Sequence, residues 1–385
     1  MKKVFMAVYS SVEYYPPTLN ALACLQTKFD NLFILSRNVL KLSWTYSPNI
    51  QNIQSGKFTP IREAEKKSML WKIMSFVLYT WNMWKTIRTQ KPDLVILYDN
   101  IPTLSYYLVQ FFIGYKPFLW YHNHDVVDKK TTTKYTITWF AIMAEQRIFR
   151  YLDAFSLPSE DRKQYFPLET LKGKYYFIPN MPAKSFYGAY YTPKVIEDAN
   201  IHIVYQGSLA KGQGFEELIK LVSSNKCTKK IYFTIKSFYS YQQYNTELQQ
   251  EIEKCHLEEQ IKLLDTSPYK EMPLFTKKHH IGLAIFSEQS IIRNTAGTSS
   301  NKIYEYIAVG LPVILFDNEH FRKYLGKYSW AFFTDLSEKS LMDCIEKIIA
   351  NYETLSQQAN KDFMAELNFE TYFVPALDEI MKKIS

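Results

Sequence analysis

Residues 299–314 read SSNKIYEYIAVGLPVI. Ser299, Ser300 and Asn301 are residue types that cap a helix N-terminus, Gly310 suits the left-handed position just past a C-terminus, and Pro312 cannot continue a helix. The stretch therefore predicts a short helix from Lys302 to Val309, followed by a buried strand over Val313–Phe316. A small capped helix feeding a buried parallel strand is an α/β arrangement, in which the helix N-terminus offers unpaired N–H groups to an anion. Glu305 lies one turn further in, where its two oxygens can accept from neighbouring hydroxyls such as those of a ribose. The competing reading is a surface helix whose carboxylate is simply solvated.

Working outward, strand-like runs alternate with amphipathic helical ones on both sides of this segment. In the first half the strands are expected at Val4–Tyr9, Asn31–Leu35, Leu94–Tyr98, Phe118–His122, Ala154–Leu157 and Tyr175–Ile178, with helices over Leu19–Phe29, Glu63–Thr89 and Trp139–Tyr151. A second series follows at Ile201–Tyr205, Ile231–Thr234, Ile261–Leu264, Ile281–Ile285 and Val313–Phe316. Alternation of this kind predicts parallel βαβ units. Between the series lies PNMPAKSFYGAYYTPKVIEDAN, residues 179–200, rich in Pro and polar residues and read as a linker. The fold class is thus α/β, with two Rossmann-like doubly wound parallel-sheet domains facing across a cleft, over residues 1–185 and 195–365. Ligands of such folds bind at domain interfaces and at the carboxyl ends of strands.

The 385 residues suffice for two ordinary domains. No apolar run reaches the roughly 18 residues of a spanning helix, and the short run in MKKVFMAVYSSVEYY reads as a first strand rather than a leader. Cys24, Cys227, Cys255 and Cys344 form no CxxC pair, which points to a reducing compartment and to neither a zinc site nor a disulfide framework. The net charge of +8 is uneven: residues 1–180 hold 23 Lys+Arg against 13 Asp+Glu, about +10, and the remainder 23 against 25, about −2. The first half is therefore the part that attracts an acidic partner, either an anionic membrane surface or a polyanion.

Several constellations carry chemistry. In IHIVYQGSLAKGQGFEELIKLV, a strand ending at Tyr205 is followed by Gly207, Ser208, Gly212, Gln213 and Gly214 and then by a helix from Phe215. Glycines there let backbone N–H groups approach a phosphate, and Lys211 supplies a mobile cation. Together with Ser299–Lys302 this makes two helix N-termini able to hold a nucleoside diphosphate. His122, Asn123, His124 and Asp125 follow the strand FLWY at its carboxyl end, where a His–Asp pair can orient a sugar or acceptor hydroxyl. A capped loop with hydrogen-bonded histidines would read the same way. Glu145 and Arg147 read as surface or inter-element pairs. No DxD pair is present to hold a divalent ion, since Asp125 and Asp128 have the wrong spacing, so no metal is expected. No GxGxxG follows the first strand, which disfavours a dehydrogenase.

YQGSLAKGQGFEELI and SSNKIYEYIAVGLPVI together resemble the donor-binding half of GT-B glycosyltransferases of the retaining family 4 type. The segments PPTLNALACLQ, LWYHNHD, AEQRIFRYLDAFSLPSEDR, FIPNMP and FETYFVPALDEIMKKI sit where such enzymes carry related ones. The resemblance implies a nucleotide-diphosphate sugar as donor substrate, no permanently bound cofactor, no metal, and a closing helix, residues 366–385, that crosses back to the first domain. It implies that Glu305 binds the ribose, that Thr298, Ser299, Ser300 and Asn301 form a loop against the diphosphate with Lys302 beside them, and that His124, or next His122, touches the donor sugar, with Asn123 and Asp125 on the acceptor side. Two departures stand out. Gly297 occupies the place of the first glutamate of the family's E-x7-E motif, and Gln213 that of a base before the last loop glycine. The implied reaction is sugar transfer to a hydroxyl of a glycan or lipid-linked acceptor, with retention, in bacterial polysaccharide or glycan assembly. A nucleotide-sugar 2-epimerase and a non-catalytic nucleotide- or glycan-binding protein are the alternatives.

The segment REAEKKSMLWKIMSFVLYTWNMWKTIRTQK, residues 62–91, combines Lys66, Lys67, Lys72, Lys85 and Arg88 with Trp71, Trp81 and Trp84 on one expected long helix. A basic, Trp-bearing amphipathic helix suits a membrane interface, and a Rossmann helix with a solvated basic face looks similar. The corresponding location is cytoplasmic, with peripheral contact at the inner membrane surface and no nucleic acid partner.

Overall fold

The computed structural model describes residues 1–41, 44–196, 199–238, 242–287 and 290–384, so positions 197–198 of the expected linker lie outside the described residues. The chain divides into two compact units, Met1–Asn180 with Phe369–Ser385, and Met181–Asn368. Each is a parallel sheet covered by helices.

In the first unit the order is β1 (Lys3–Val8), α1 (Pro16–Leu25), β2 (Asn31–Arg37), β3 (Ile50–Ser55), α2 (Ile61–Lys66), α3 (Met69–Gln90), β4 (Leu94–Tyr98), α4 (Asn100–Val109), β5 (Phe118–His122), α5 (Ile137–Ile148), β6 (Ala154–Leu157) and β7 (Lys174–Phe177). The second holds α6 (Lys184–Tyr187), β8 (Asn200–Ser208), α7 (Phe215–Ser224), β9 (Lys230–Phe238), α8 (Gln242–Lys254), β10 (Ile261–Leu264), α9 (Met272–Thr276), β11 (Ile281–Ala284), α10 (Ile291–Asn294), α11 (Ala296–Ser299), α12 (Asn301–Ala308), β12 (Val313–Phe316), α13 (Glu319–Leu325), β13 (Ala331–Thr334), α14 (Glu338–Ala350) and α15 (Tyr352–Ala365). The closing α16 (Phe369–Lys383) belongs to the first unit, where the Phe373 ring stacks on Trp120 of β5.

The strand orders are β3-β2-β1-β4-β5-β6-β7 and β10-β9-β8-β11-β12-β13, with every pairing parallel. The order reverses between β1 and β4 in one sheet and between β8 and β11 in the other. At such switch points the strand ends diverge and leave a crevice. The central strands are continuous apolar runs because helices cover both faces: Leu94–Tyr98 is buried throughout, as is Ile281–Ala284.

The structure departs from the sequence reading at several places. The basic segment is two helices, not one: Lys67 is extended, and Ser68 caps α3 by accepting from the Trp71 N–H at 3.3 Å. Strand β8 runs on through Gly207 and Ser208, past the expected end at Tyr205. Thr298 and Ser299 belong to α11 and not to a loop. Strands β3 and β13 are additional.

Candidate functional site

In the second unit the site is built on α12. Its buried residues run from Ile303 to Ala308 and include Glu305. Gly282 of β11 makes that packing possible, since a Cβ there would lie 2.2 Å from the Tyr306 ring. The ring lies directly on the strand, and its hydroxyl accepts from the Gln206 N–H at 3.0 Å and donates to the Leu283 carbonyl at 3.2 Å. Tyr306 thus locks the helix across the β8–β11 switch point, and Glu305 is carried to the end of β8.

Glu305 is only 6% exposed, so the solvated-surface reading does not hold. One carboxylate oxygen accepts from Gln206 Nε2 at 2.5 Å, and Gln206 Oε1 in turn accepts from the Thr276 hydroxyl at 2.7 Å, which fixes which way the amide points. Burial pushes the Glu305 carboxyl up to about 7, opposed by the hydrogen bonds from Gln206 and Tyr269 and by the Lys302 charge. Burial likewise pulls the Lys302 ammonium down to about 7, opposed by Glu305. The two therefore form a pair whose charges are set together, one turn apart on the same helix.

Lys302 Nζ donates to the Tyr205 hydroxyl at 2.8 Å and lies 4.0 Å from that ring's centre and 5.1 Å from that of Phe286. Gly207, at φ 132°, gives it room: a Cβ would stand 3.0 Å from Nζ. The glycine loop continues through Gly212 and reaches α7 at Gly214, the N-cap, in the left-handed region. Two loop side chains expected at a phosphate are otherwise engaged. Lys211 reaches outward to Glu247, 3.0 Å away, and Gln213 is buried with Oε1 accepting from the Ala210 N–H at 2.8 Å. Ser208 is exposed.

Around the start of α12, Ser300 is the N-cap but its side chain makes no capping bond, and the Ser299 hydroxyl donates back to Thr295. The Asn301 and Thr298 side-chain oxygens are buried and accept nothing. Gly297 lies under the imidazole of His320, whose Cδ2 would be 2.9 Å from a Cβ.

In the first unit His122, Asn123 and His124 are buried at the end of β5, whereas Asp125 is exposed. The His124 ring lies 5.5 Å from that of Tyr98, stacked, and its Nδ1 meets Asn180 Oδ1 at 2.8 Å. That bond makes Nδ1 the N–H, so Nε2, buried and unpartnered, is an acceptor. Burial draws His124 down to about 3 and His122 well below its usual range, so both rings are neutral near pH 7. His122 faces Ser156 in the interior.

Three residues that the sequence reading did not assign hold this end of the sheet together. Asp99, just after β4, sits at φ 64°, a backbone region that costs a non-glycine residue on the order of 1–3 kcal/mol. It accepts from the His124 N–H at 2.7 Å, the Asp125 N–H at 3.2 Å and the Tyr15 hydroxyl. Tyr15 follows β1, so this bond crosses the switch point. Buried Arg162 donates to the His124 carbonyl. Glu145 accepts from the Tyr121 hydroxyl and is pushed up to about 8 by burial, so it is an interior pair and not a surface one. Arg147 is exposed.

Among the described residues no group of three or more His, Cys, Asp and Glu is placed to hold a metal ion, and no helix is long and apolar enough to cross a membrane.

Two doubly wound sheets, each with its polar residues gathered at the switch point, and a closing helix that returns to the first define a GT-B glycosyltransferase fold. Residues 193–362, which lie within the second unit, match the family described as Glycosyl transferases group 1. Among solved structures, the chain is similar to sucrose-phosphate synthase from Thermosynechococcus elongatus, at a TM-score of 0.71 and 11% identity over 100% of this chain and 99% of that one. It is similar to HepE of Anabaena in complex with UDP, at 0.66 and 13% identity over 99% and 100%, and to a glycosyltransferase from Rickettsia africae, at 0.68 and 13% over 100% and 98%. At these identities the likeness is one of fold. No curated protein matches the sequence.

Proposed function

We propose that the protein transfers a sugar from a nucleoside-diphosphate donor to a hydroxyl of a glycan or lipid-linked acceptor, with retention and without a metal. The observation that carries this reading is the buried Glu305, a carboxylate held by Gln206 at the end of β8 and able to accept from ribose hydroxyls, beside Lys302 and the loop from Gly207 to Gly214. Backbone N–H groups at Gly212–Gly214, the α7 N-terminus and Lys302 take the diphosphate. HepE, of similar fold, was crystallised with UDP-glucose, which favours UDP as the first nucleotide to try. In the first unit His124 offers Nε2 to a sugar hydroxyl, while Asn123 and Asp125 border the acceptor.

The acceptor reading includes contact with an anionic membrane at the cytoplasmic surface, in polysaccharide assembly. On α3, Leu70, Met74, Val77 and Trp81 are exposed, and an apolar groove of about 390 Å³ lies between α3 and the end of α4, lined by Val77, Trp81, Trp84, Leu108 and Phe112. Lys67, Lys85 and Arg88 are exposed on the same helix and its approach. Apolar side chains flanked by lysines suit the headgroup region of an anionic bilayer. Flotation with vesicles containing phosphatidylglycerol at low salt tests this; no binding there removes the membrane from the reading.

A second reading, nucleotide or glycan binding without turnover, is favoured by the two departures from the family pattern, Gln213 turned into its own loop and Gly297 covered by His320. Incubation with the nucleotide sugar selected by a binding screen, with and without acceptor glycans, separates the cases. Transfer gives a new glycoside, epimerisation converts the sugar nucleotide alone, and binding without either product supports the second reading.

A further inference from the structure

A nucleoside diphosphate brings at least two negative charges, and the glycine loop that receives it in the reading above offers no cation of its own. The Lys211 ammonium is paired with Glu247 and lies 5.6 Å from the centre of the Tyr244 ring, on the outer side of the loop. Gln213 replaces a base and spends its side chain closing the turn at Ala210. Positive charge has to arrive from elsewhere in the second unit.

It arrives from the segment that follows β11. Ser287 is fastened to the loop by two contacts to the Gly212 carbonyl, from its N–H at 2.9 Å and its hydroxyl at 3.0 Å. The chain then reaches Ser290, whose hydroxyl accepts from the Arg293 N–H at 3.2 Å and caps α10. That placement brings the Arg293 side chain back over the loop, with Nη1 3.4 Å from the Lys211 carbonyl. Its charge is felt both by Lys302 and by Tyr205, the two groups that line the Gly207 end of the same loop. Arg293 and Lys302 therefore converge on one loop from two short helices.

We propose that Arg293 is a donor-binding residue, the permanent cation of the diphosphate site, standing with Lys302 in place of the charges that the glycine loop lacks. The proposal rests on the nucleotide-binding reading of the second unit. A guanidinium suits the role because its planar donors match two phosphate oxygens at once and because it stays protonated at every physiological pH. Lys302 by itself is a weaker anchor, since burial brings its ammonium close to losing its proton near neutrality.

Titration calorimetry of the wild type, Arg293→Ala and Arg293→Lys with UDP, GDP and ADP, and with the nucleoside of whichever diphosphate binds, tests this. The expected result is a loss of at least tenfold in diphosphate affinity for Arg293→Ala, partial recovery in Arg293→Lys, and nucleoside affinity within twofold of the wild type in both. Diphosphate affinity within threefold of the wild type in Arg293→Ala overturns the proposal while leaving nucleotide binding intact. Equal loss of diphosphate and nucleoside also overturns it, by making Arg293 a support of the fold. A wild type that binds none of the three diphosphates removes the reading underneath.

Discussion

Replacing Glu305 by Gln should move stability and ligand affinity in opposite directions. The side chain keeps its size, so packing against Gln206 and Tyr306 is retained, and only the charge is removed. Burial raises the folded-state carboxyl from an ordinary 4.5 to about 7. For an acid shifted upward, folding is favoured fully below the unfolded value and progressively less as pH climbs through the folded one, so the ionised form is a cost above about pH 7. A shift of that size corresponds to at most roughly 3 kcal/mol at 1.36 kcal/mol per unit. That shift is already net of the Lys302 attraction, and Gln offsets part of the gain by placing an amide NH2 where the carboxylate accepted from its neighbours. A net gain of about 1–2 kcal/mol at pH 8 is expected, equivalent to roughly 2–8 °C in the melting temperature of a unit this large. At pH 5 the gain should vanish, because the carboxyl is then protonated in the folded state. Nucleotide affinity should fall about 10- to 100-fold, since a hydrogen bond to a charged acceptor contributes about 1.5–3 kcal/mol. Differential scanning calorimetry at pH 5 and pH 8, with and without nucleotide, reads both effects. A variant less stable at pH 8 than the wild type, with undiminished nucleotide affinity, would refute the reasoning about this carboxylate.

Other perturbations probe the same structure. Nucleotide affinity should be greatest near pH 7 and fall on both sides, because Glu305 loses its acceptor charge below that value and Lys302 its proton above it; Lys302→Arg should flatten the alkaline limb, and calorimetry from pH 5.5 to 9 reports it. Gly282→Ala places a methyl 2.2 Å from a Tyr306 ring carbon and should destabilise the second unit by at least about 1–3 kcal/mol, read as an early thermal transition. Asp99→Asn weakens the bonds that hold the His124 and Asp125 backbone and should lower turnover more than donor affinity; unchanged turnover would show that this turn needs no charge. Because His124 is held near 3, a pH–rate profile should show no inflection near 6.5 that disappears in His124→Asn.

Much of the fold was legible in residue order because its elements are strongly patterned. Buried strands such as Leu94–Tyr98 and Ala154–Leu157 have the bounds that their apolar runs predict, and the closing helix, which the resemblance implied over residues 366–385, runs over Phe369–Lys383. Strand β3, IQNIQS, escaped because it is an edge strand with one half-open face, where Gln and Asn are tolerated and no apolar run is needed. The break at Lys67 escaped because amphipathic spacing continues across it, and only the cap at Ser68 marks it. At the candidate site, Glu305 and Lys302 stood out through local capping and the helix-breaking Gly-Leu-Pro. Gln206, Arg293, Asp99 and Arg162 did not, since each matters through a partner far away in sequence. An Asp placed just after the apolar strand LVILY was the one visible clue among them. Lys211 shows the converse: its place in the loop suggested a ligand contact, and Glu247, brought near by α8, draws it outward.

The most direct measurement is a thermal-shift panel of UDP-, GDP-, ADP- and CMP-sugars on the wild type and Glu305→Ala, read on the RT ln(1 + [L]/Kd) scale. A rise with one nucleotide class that is lost in the variant is the predicted result and names the donor class. No rise with any nucleotide, or a rise that survives in Glu305→Ala, would contradict the assignment of the second unit as the donor site.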